Sequence, residues 1–143
     1  MSKVPGCPLC ESAGGVEIAR SSLWRLVRAE EAGFPAFYRV VWNEHVREFS
    51  HLPAAQRSEC LEVVVQVESL LIRHLQPTKV NLASLGNTVA HLHWHVVARF
   101  DWDSHFPVSV WAQAQRAAPQ DRLAQVLARR AALEADLAGL APS

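Results

Sequence analysis

Apolar and polar positions alternate most regularly over His91-Leu92-His93-Trp94-His95-Val96-Val97. Side chains on a strand repeat every two residues, so the pattern predicts a strand over about 89–99 with His91, His93 and His95 on one face. Leu92, Trp94 and Val96 are then expected to face the core. Same-face neighbours lie about 6–7 Å apart, so the three imidazoles would span about 13 Å, the scale of a phosphate with its flanking atoms or of a metal with its ligands. Two β-prone runs, 23–28 and 37–42, are separated by Gly33-Phe34-Pro35. A helical period governs 53–75. Cys60, Val64, Val67 and Leu71 form an apolar stripe broadened by Leu61, Val65 and Ile72, with Ser50 and Pro53 as start signals and Gln76-Pro77 as the stop. Residues 79–85 alternate as a strand, and Gly86-Asn87 joins it to the histidine strand as a hairpin turn. A last helix begins near Pro119, with Asp121 in its first turn, and ends before Gly139. Residues 5–15 are rich in Pro, Gly and Ser and predict a tight knuckle, while 101–118 is irregular and rich in Trp and Pro. The resulting order, β-β-α-β-β-α, describes an α+β fold with helices packed on an antiparallel sheet.

Length and charge narrow the function classes. The 143 residues read as a single domain, 1–143, long enough to bury a core: a knuckle over 1–15, a body over 16–100 and a tail over 101–143. Lys and Arg number 14, as do Asp and Glu, and the absence of a basic excess argues against nucleic-acid or membrane-surface partners. No apolar run approaches the roughly 20 residues of a membrane span. Proline and glycine interrupt Met1-Ser2-Lys3-Val4-Pro5-Gly6 before a leader-like apolar run develops. Three cysteines, two of them in Cys7-Pro8-Leu9-Cys10, do not make a disulfide framework. The expected location is cytoplasmic and the expected partner a small molecule.

The histidine pattern supports two kinds of chemistry. A neutral imidazole is a nucleophile near pH 7 without first losing a proton. Alternatively, three imidazoles on one strand face bind a catalytic zinc or iron directly. Cys7 and Cys10 have the spacing of half a zinc site, or form a reducible dithiol or a metal-free knuckle. Leu23, Trp24 and Phe37 are candidates for a base-stacking wall or plain core. His51 and His74 are expected at the helix surface or edge, and Cys60 in the core.

His91 to Val97 also matches the His-φ-His-φ-His-φ-φ signature (φ apolar) of the histidine-triad (HIT) superfamily of nucleotide hydrolases and transferases. The flanking segments resemble the same family. Residues 81–90 carry an Asn, a Gly, an amide, a Thr and a Val ahead of the triad, and Trp42-Asn43-Glu44-His45-Val46 looks like the family's segment before its long helix. Cys7-Pro8-Leu9-Cys10 is similar to the CxxC of many bacterial members, and the tail with Asp103, His105 and Trp111 looks like a proteobacterial branch. The resemblance covers about 7–100.

The resemblance implies a sheet of about five antiparallel strands with a long central helix and a C-terminal helix, and a homodimer that extends the sheet. It implies that His93 attacks the α-phosphorus to give a nucleotidyl-histidine that water cleaves. His95 would stabilise the phosphoryl oxygens and help protonate the leaving group, with Asn81, Asn87 and Thr88 as neutral phosphate ligands. Gly-Asn-Thr is also ordinary turn chemistry. Cys7, Cys10, His45 and His91 would hold a structural zinc, with no organic cofactor. The family's ribose-binding Asp has no counterpart in Arg28-Ala29-Glu30-Glu31, which leaves the substrate's identity open. Two alternatives stand beside this reading: a metal-dependent hydrolase using the three histidines as ligands, and a nucleotide-binding sensor without turnover.

Overall fold

Pro8, at the first helical position, starts a single helical turn, α1 (Pro8–Glu11), inside the segment expected to be an irregular knuckle. The computed structural model describes residues 3–142, so Met1, Ser2 and Ser143 of the expected 1–143 domain lie outside it. β1 (Val16–Arg20) comes next and is absent from the expected order. It is a short edge strand with a register shift between Glu17 and Ala19, and its outer position leaves its ends exposed. β2 (Trp24–Arg28), β3 (Phe37–Trp42), a 3-10 turn (Phe49–His51), α2 (Ala54–Leu75), β4 (Lys79–Ala83), β5 (His93–Arg99) and α3 (Gln120–Ala138) follow. After the α1 turn the corrected order is β-β-β-α-β-β-α, and the strands form one antiparallel sheet, β1-β2-β3-β5-β4.

β5 begins at His93 rather than near 89. The Trp42 N–H donates to the Leu92 carbonyl (3.0 Å) and the Leu92 N–H to the Val46 carbonyl (2.7 Å). The partner chain therefore loops out at 43–45 between two bonds to one residue, and a regular ladder cannot continue across that gap. His91 thus leaves the strand. The hairpin of β4 and β5 forms, but the loop 84–92 joins the strands in place of a two-residue turn.

One face of the sheet carries Trp24, Leu26, Tyr38, Val40, Trp42 and Val96 onto α2 and α3. The central stripe of α2 is buried as its period requires, but Val63 and Leu75 broaden it. Leu61, Val65 and Ile72 instead stand 42%, 47% and 49% exposed. Ser50 lies in the 3-10 turn, and Pro53 occupies the N-cap of α2 with no side-chain cap. At the other end Gln76 adopts a left-handed conformation ahead of Pro77, which stops the helix. No described helix is long and apolar enough to cross a membrane.

The other face is mixed: Val27 and Val41, and Phe37 and Val97, sit in two small apolar clusters, and three arginines, one each on β2, β3 and β5, tie loops onto it. Arg25 donates to the Ala13 (2.8 Å) and Ser12 (3.0 Å) carbonyls and to Asn43 Oδ1 (3.2 Å). Arg39 donates to the Gly14 carbonyl (3.1 Å). Arg99 pairs with Asp103 at 2.9 Å, the two side chains being 2% and 3% exposed.

Removing one partner of a buried ion pair costs about 3–5 kcal/mol, because the other charge is left unpaired. Asp103→Ala is therefore expected to lower stability in urea unfolding by about that amount. Glu17→Ala, which breaks an exposed pair with Arg20, is expected to cost less than about 1 kcal/mol. Equal losses would contradict the anchoring role of the 99–103 pair.

Candidate functional site

His93 and His95 sit two residues apart on β5 and share the open face, their ring centroids 4.8 Å apart and nearly perpendicular. His91, outside the strand, turns away from them. The expected row of three imidazoles is therefore a pair and a separate third.

The ring of His93 is fixed by its own backbone. Nδ1 lies 2.6 Å from the His91 carbonyl. A carbonyl can only accept, so Nδ1 carries the proton and Nε2 keeps its lone pair. Burial lowers the pKa of His93 from its ordinary 6.5; the His91 carbonyl opposes this and nearby Arg39 adds to it. The ring is thus held neutral. His95 faces Arg39 directly across the β3–β5 ladder and is wedged between the edges of Phe37 (5.6 Å) and Trp111 (4.9 Å). Burial, then His93 and Arg39, push its pKa down to about 3. Its Nδ1 is buried and bonds to no described protein group.

His93 and His95 floor a cavity of about 280 Å³ whose side is the loop Leu85–Val89 and whose far wall is Trp111. The cavity brings Asn87 and Thr88 to the histidine pair. Gly86 lets the loop turn: its φ is +86°, and an added Cβ would meet the Val89 carbonyl oxygen at 3.3 Å. Ser84 Oγ donates to the His93 carbonyl at 2.9 Å and pins the loop's start to β5. Asn81 is not brought in. It lies on β4, where its Oδ1 accepts from Arg99 at 2.8 Å. Of the candidate stacking residues, Leu23 and Trp24 pack into the helix-facing core, and only Phe37 lies beside His95. Ser84 and Arg39 are not among the expected site residues, and Trp111 enters there only as part of the tail's resemblance. Ser84 and Arg39 have no motif, and Trp111 lies in a segment without periodicity.

His91 belongs to a second cluster with Cys7, Cys10 and His45, whose four ligand atoms all lie within 4.8 Å of one another. His91 Nδ1 is 3.4 Å from Cys7 Sγ and 3.5 Å from Cys10 Sγ, and His45 Nδ1 is 3.4 Å from Cys10 Sγ. A tetrahedral zinc with bonds of about 2.3 Å to sulfur and 2.0 Å to nitrogen requires S···N edges of about 3.5 Å, so the residues fit that ion. His91 Nε2 donates to the Trp42 carbonyl at 2.6 Å, which leaves Nδ1 as the free ligand atom and orients the ring. Burial lowers the pKa of His91, which favours the neutral, ligating form. Four protein ligands would close the coordination of such an ion, the pattern of a structural rather than a catalytic zinc. Because His91 Nε2 bonds to the Trp42 carbonyl and its Nδ1 faces the Cys7 and Cys10 sulfurs, the three histidines do not converge on one point.

The other histidines and the third cysteine take structural places. His51 is exposed, and His74 donates to Asp136 of α3 at 2.6 Å. His105 packs on the Phe34 ring at 5.2 Å and does not line the cavity. Cys60 is core, and burial pushes its thiol up to about 11.

A family model described as the HIT domain matches residues 16–102. No curated protein matches the sequence. The structure is similar to a histidine triad protein from Bradyrhizobium japonicum, with 23% identity, a TM-score of 0.71, and 88% of this chain and 92% of that one covered. A histidine triad protein from Marinobacter aquaeolei VT8 gives 26% identity and a TM-score of 0.68, covering 88% and 93%. A zinc-bound histidine triad family protein from Mycobacterium smegmatis gives 18% identity and a TM-score of 0.59, covering 90% and 93%.

A ligand set that exists only in the fold couples metal binding to stability. Protein purified without chelator is expected to hold about one zinc per chain by elemental analysis. Cys7→Ser is expected to lose the metal and to melt at a lower temperature. Zinc-free wild-type protein, or full metal retention in Cys7→Ser, would contradict the assignment.

Proposed function

The chain belongs to the HIT domain family, and from that premise we propose that it cleaves a nucleoside phosphate derivative at the α-phosphate through a nucleotidyl-histidine on His93. The observation that carries this reading is the 2.6 Å bond from His93 Nδ1 to the His91 carbonyl, which leaves a neutral, unprotonated Nε2 at the other end of a ring that lines the cavity.

In the first half-reaction the Nε2 lone pair attacks the α-phosphorus, a P–N bond forms, and the bond to the leaving atom breaks. Thr88 Oγ1 and the Asn87 amide supply neutral donors to the phosphate oxygens. Arg39, beside the histidine pair, adds positive potential. His95 starts neutral; the negative charge of a bound phosphate restores its basicity, since an opposite charge within about 4–6 Å favours the protonated form. Protonated, it passes a proton to the leaving atom. In the second half-reaction water attacks phosphorus, its proton returns to His95, and the P–N bond breaks to free the nucleotide and His93. Cys7, Cys10, His45 and His91 would hold zinc, whose contribution when bound is to clamp α1 against the start of β5. Asn81 acts through Arg99 and has no part in phosphate binding in this account.

The substrate is a small nucleotide conjugate, without a nucleic-acid or membrane partner, and the free cysteines suit a reducing, cytoplasmic location. A second copy of the chain covers the apolar surface that the fold leaves bare: Leu61, Val65 and Ile72 on α2, with Leu82 (40% exposed) and Leu85 (57%) on and beyond the free edge strand β4.

Two measurements test these readings. Against a panel of AMP conjugates, His93→Ala is expected to lose about 10³-fold or more of kcat/KM while still binding AMP. Retention of more than about a tenth of the wild-type value would overturn the nucleophile assignment, and a wild type that binds AMP but turns nothing over would favour the sensor. In sedimentation, Val65→Glu is expected to convert a dimer to a monomer; a monomeric wild type would refute the dimer.

A further inference from the structure

The far wall of the cavity comes from a segment that the proposed chemistry does not use. Residues 101–118 form no strand or helix, yet both ends are tied down. Asp103 accepts from Arg99 Nε (2.9 Å) and from the backbone N–H groups of Phe100 (3.0 Å), His105 (2.9 Å) and Phe106 (2.7 Å). Arg99 also holds the Val108 carbonyl at 2.7 Å. Farther along, Arg116 donates to the carbonyls of Asp103 and Phe106, both at 2.7 Å, and the Gln115 N–H donates to the Ser104 carbonyl at 2.7 Å.

Trp111 is suspended between these anchors. Its indole meets the edge of His95 at 4.9 Å and of Phe37 at 6.4 Å, while 52% of the residue remains exposed. A half-bare indole set edge-to-face against an imidazole, in the lining of a cavity, leaves apolar ring surface for whatever occupies that cavity. The cavity assigns its sides. Asn87 and Thr88, the phosphate donors, stand on the loop, and Trp111 stands on the side of His95, which protonates the leaving atom.

We propose that Trp111 is a specificity-determining residue whose exposed face receives the leaving group and selects planar aromatic ones, such as an arylamine, a phenol or a second nucleobase, over aliphatic ones. The inference rests on the nucleotidyl-histidine reading above. It adds the class of leaving group, and it gives the Arg99–Asp103 pair a purpose as the anchor of that wall.

The test compares wild type, Trp111→Ala and Trp111→Phe on AMP conjugates whose leaving groups are matched in pKa but either flat and aromatic or aliphatic. GMP conjugates of the same leaving groups serve as a second axis. Trp111→Ala is expected to lower kcat/KM for the aromatic conjugates by about 5- to 150-fold, the range that loss of ring stacking produces. The aliphatic conjugates should change less than about threefold, and Trp111→Phe should restore most of the preference. Equal losses on both leaving groups would overturn the inference, leaving Trp111 as a support for His95. So would a loss that follows the base rather than the leaving group. Both outcomes leave the hydrolase reading intact. A wild type inert on every conjugate overturns that reading and this inference with it. Because Trp111 is half exposed and lies outside the core, thermal melting of both variants should match wild type, which separates specificity from misfolding.

Discussion

The short hydrogen bond from His93 to the carbonyl of His91 is the constraint on which the rest of the site depends. It selects the tautomer, aims the ring and frees Nε2 without any acidic partner. The same residue, His91, turns its side chain into the Cys7–Cys10–His45 cluster and donates from Nε2 to Trp42. One residue therefore holds the proposed nucleophile with its backbone and faces the N-terminal cysteines with its ring. This division is possible because the chain after β3 loops out at 43–45, which releases His91 from the ladder and brings His45 to the cluster. A regular strand would have put three imidazoles in a row and left the cysteines without nitrogen partners.

The sheet separates stability from chemistry. Its helix side is apolar and continuous with α2 and α3. Its open side gives Arg25 and Arg99 several acceptors in fixed directions, which a planar, permanently charged group does better than an ammonium, while Arg39 holds the single Gly14 carbonyl. Arg25 fastens the α1 turn, Arg39 fastens the next loop and adds to the burial that lowers the basicity of His93 and His95, and Arg99 fastens the tail. The covering loops carry Cys7 and Cys10 to one side of the histidine pair and Trp111 to the other.

Much of this was legible in the sequence wherever the cause is local. The period of two across His93 to Arg99, the centre of α2 and the bounds of α3 follow from alternation, helical spacing and the punctuation of Pro77, Pro119 and Gly139. The pairing of Cys7 and Cys10 with His45 and His91 came from family resemblance, since no spacing rule joins residues so far apart. What was hidden is tertiary. An apolar stripe has two flanks of equal hydrophobicity, and only the packing partner chose Val63 and Leu75 over Leu61, Val65 and Ile72. β1 is a short edge strand with a register shift, so its pattern is weak. Asn81 reads as a phosphate donor, whereas the structure sets it on β4 with its Oδ1 accepting from Arg99, apart from the residues that line the cavity. Trp111 owes its position to Asp103 and Arg116, which no local pattern reveals.

The central claim is a covalent bond between His93 and the nucleotide, and trapping that species tests it most directly. Wild-type protein mixed with an AMP conjugate and quenched in alkali, where a phosphorus–nitrogen bond at histidine survives, is expected to carry one adenylyl group on the peptide containing His91 to Val97. Fragmentation should place it on His93, and the adduct should decay in step with AMP release. Turnover of the same conjugate with no adduct at any quench time, or an adduct on His95, would contradict the account and point instead to direct attack by water or to exchanged roles within the pair.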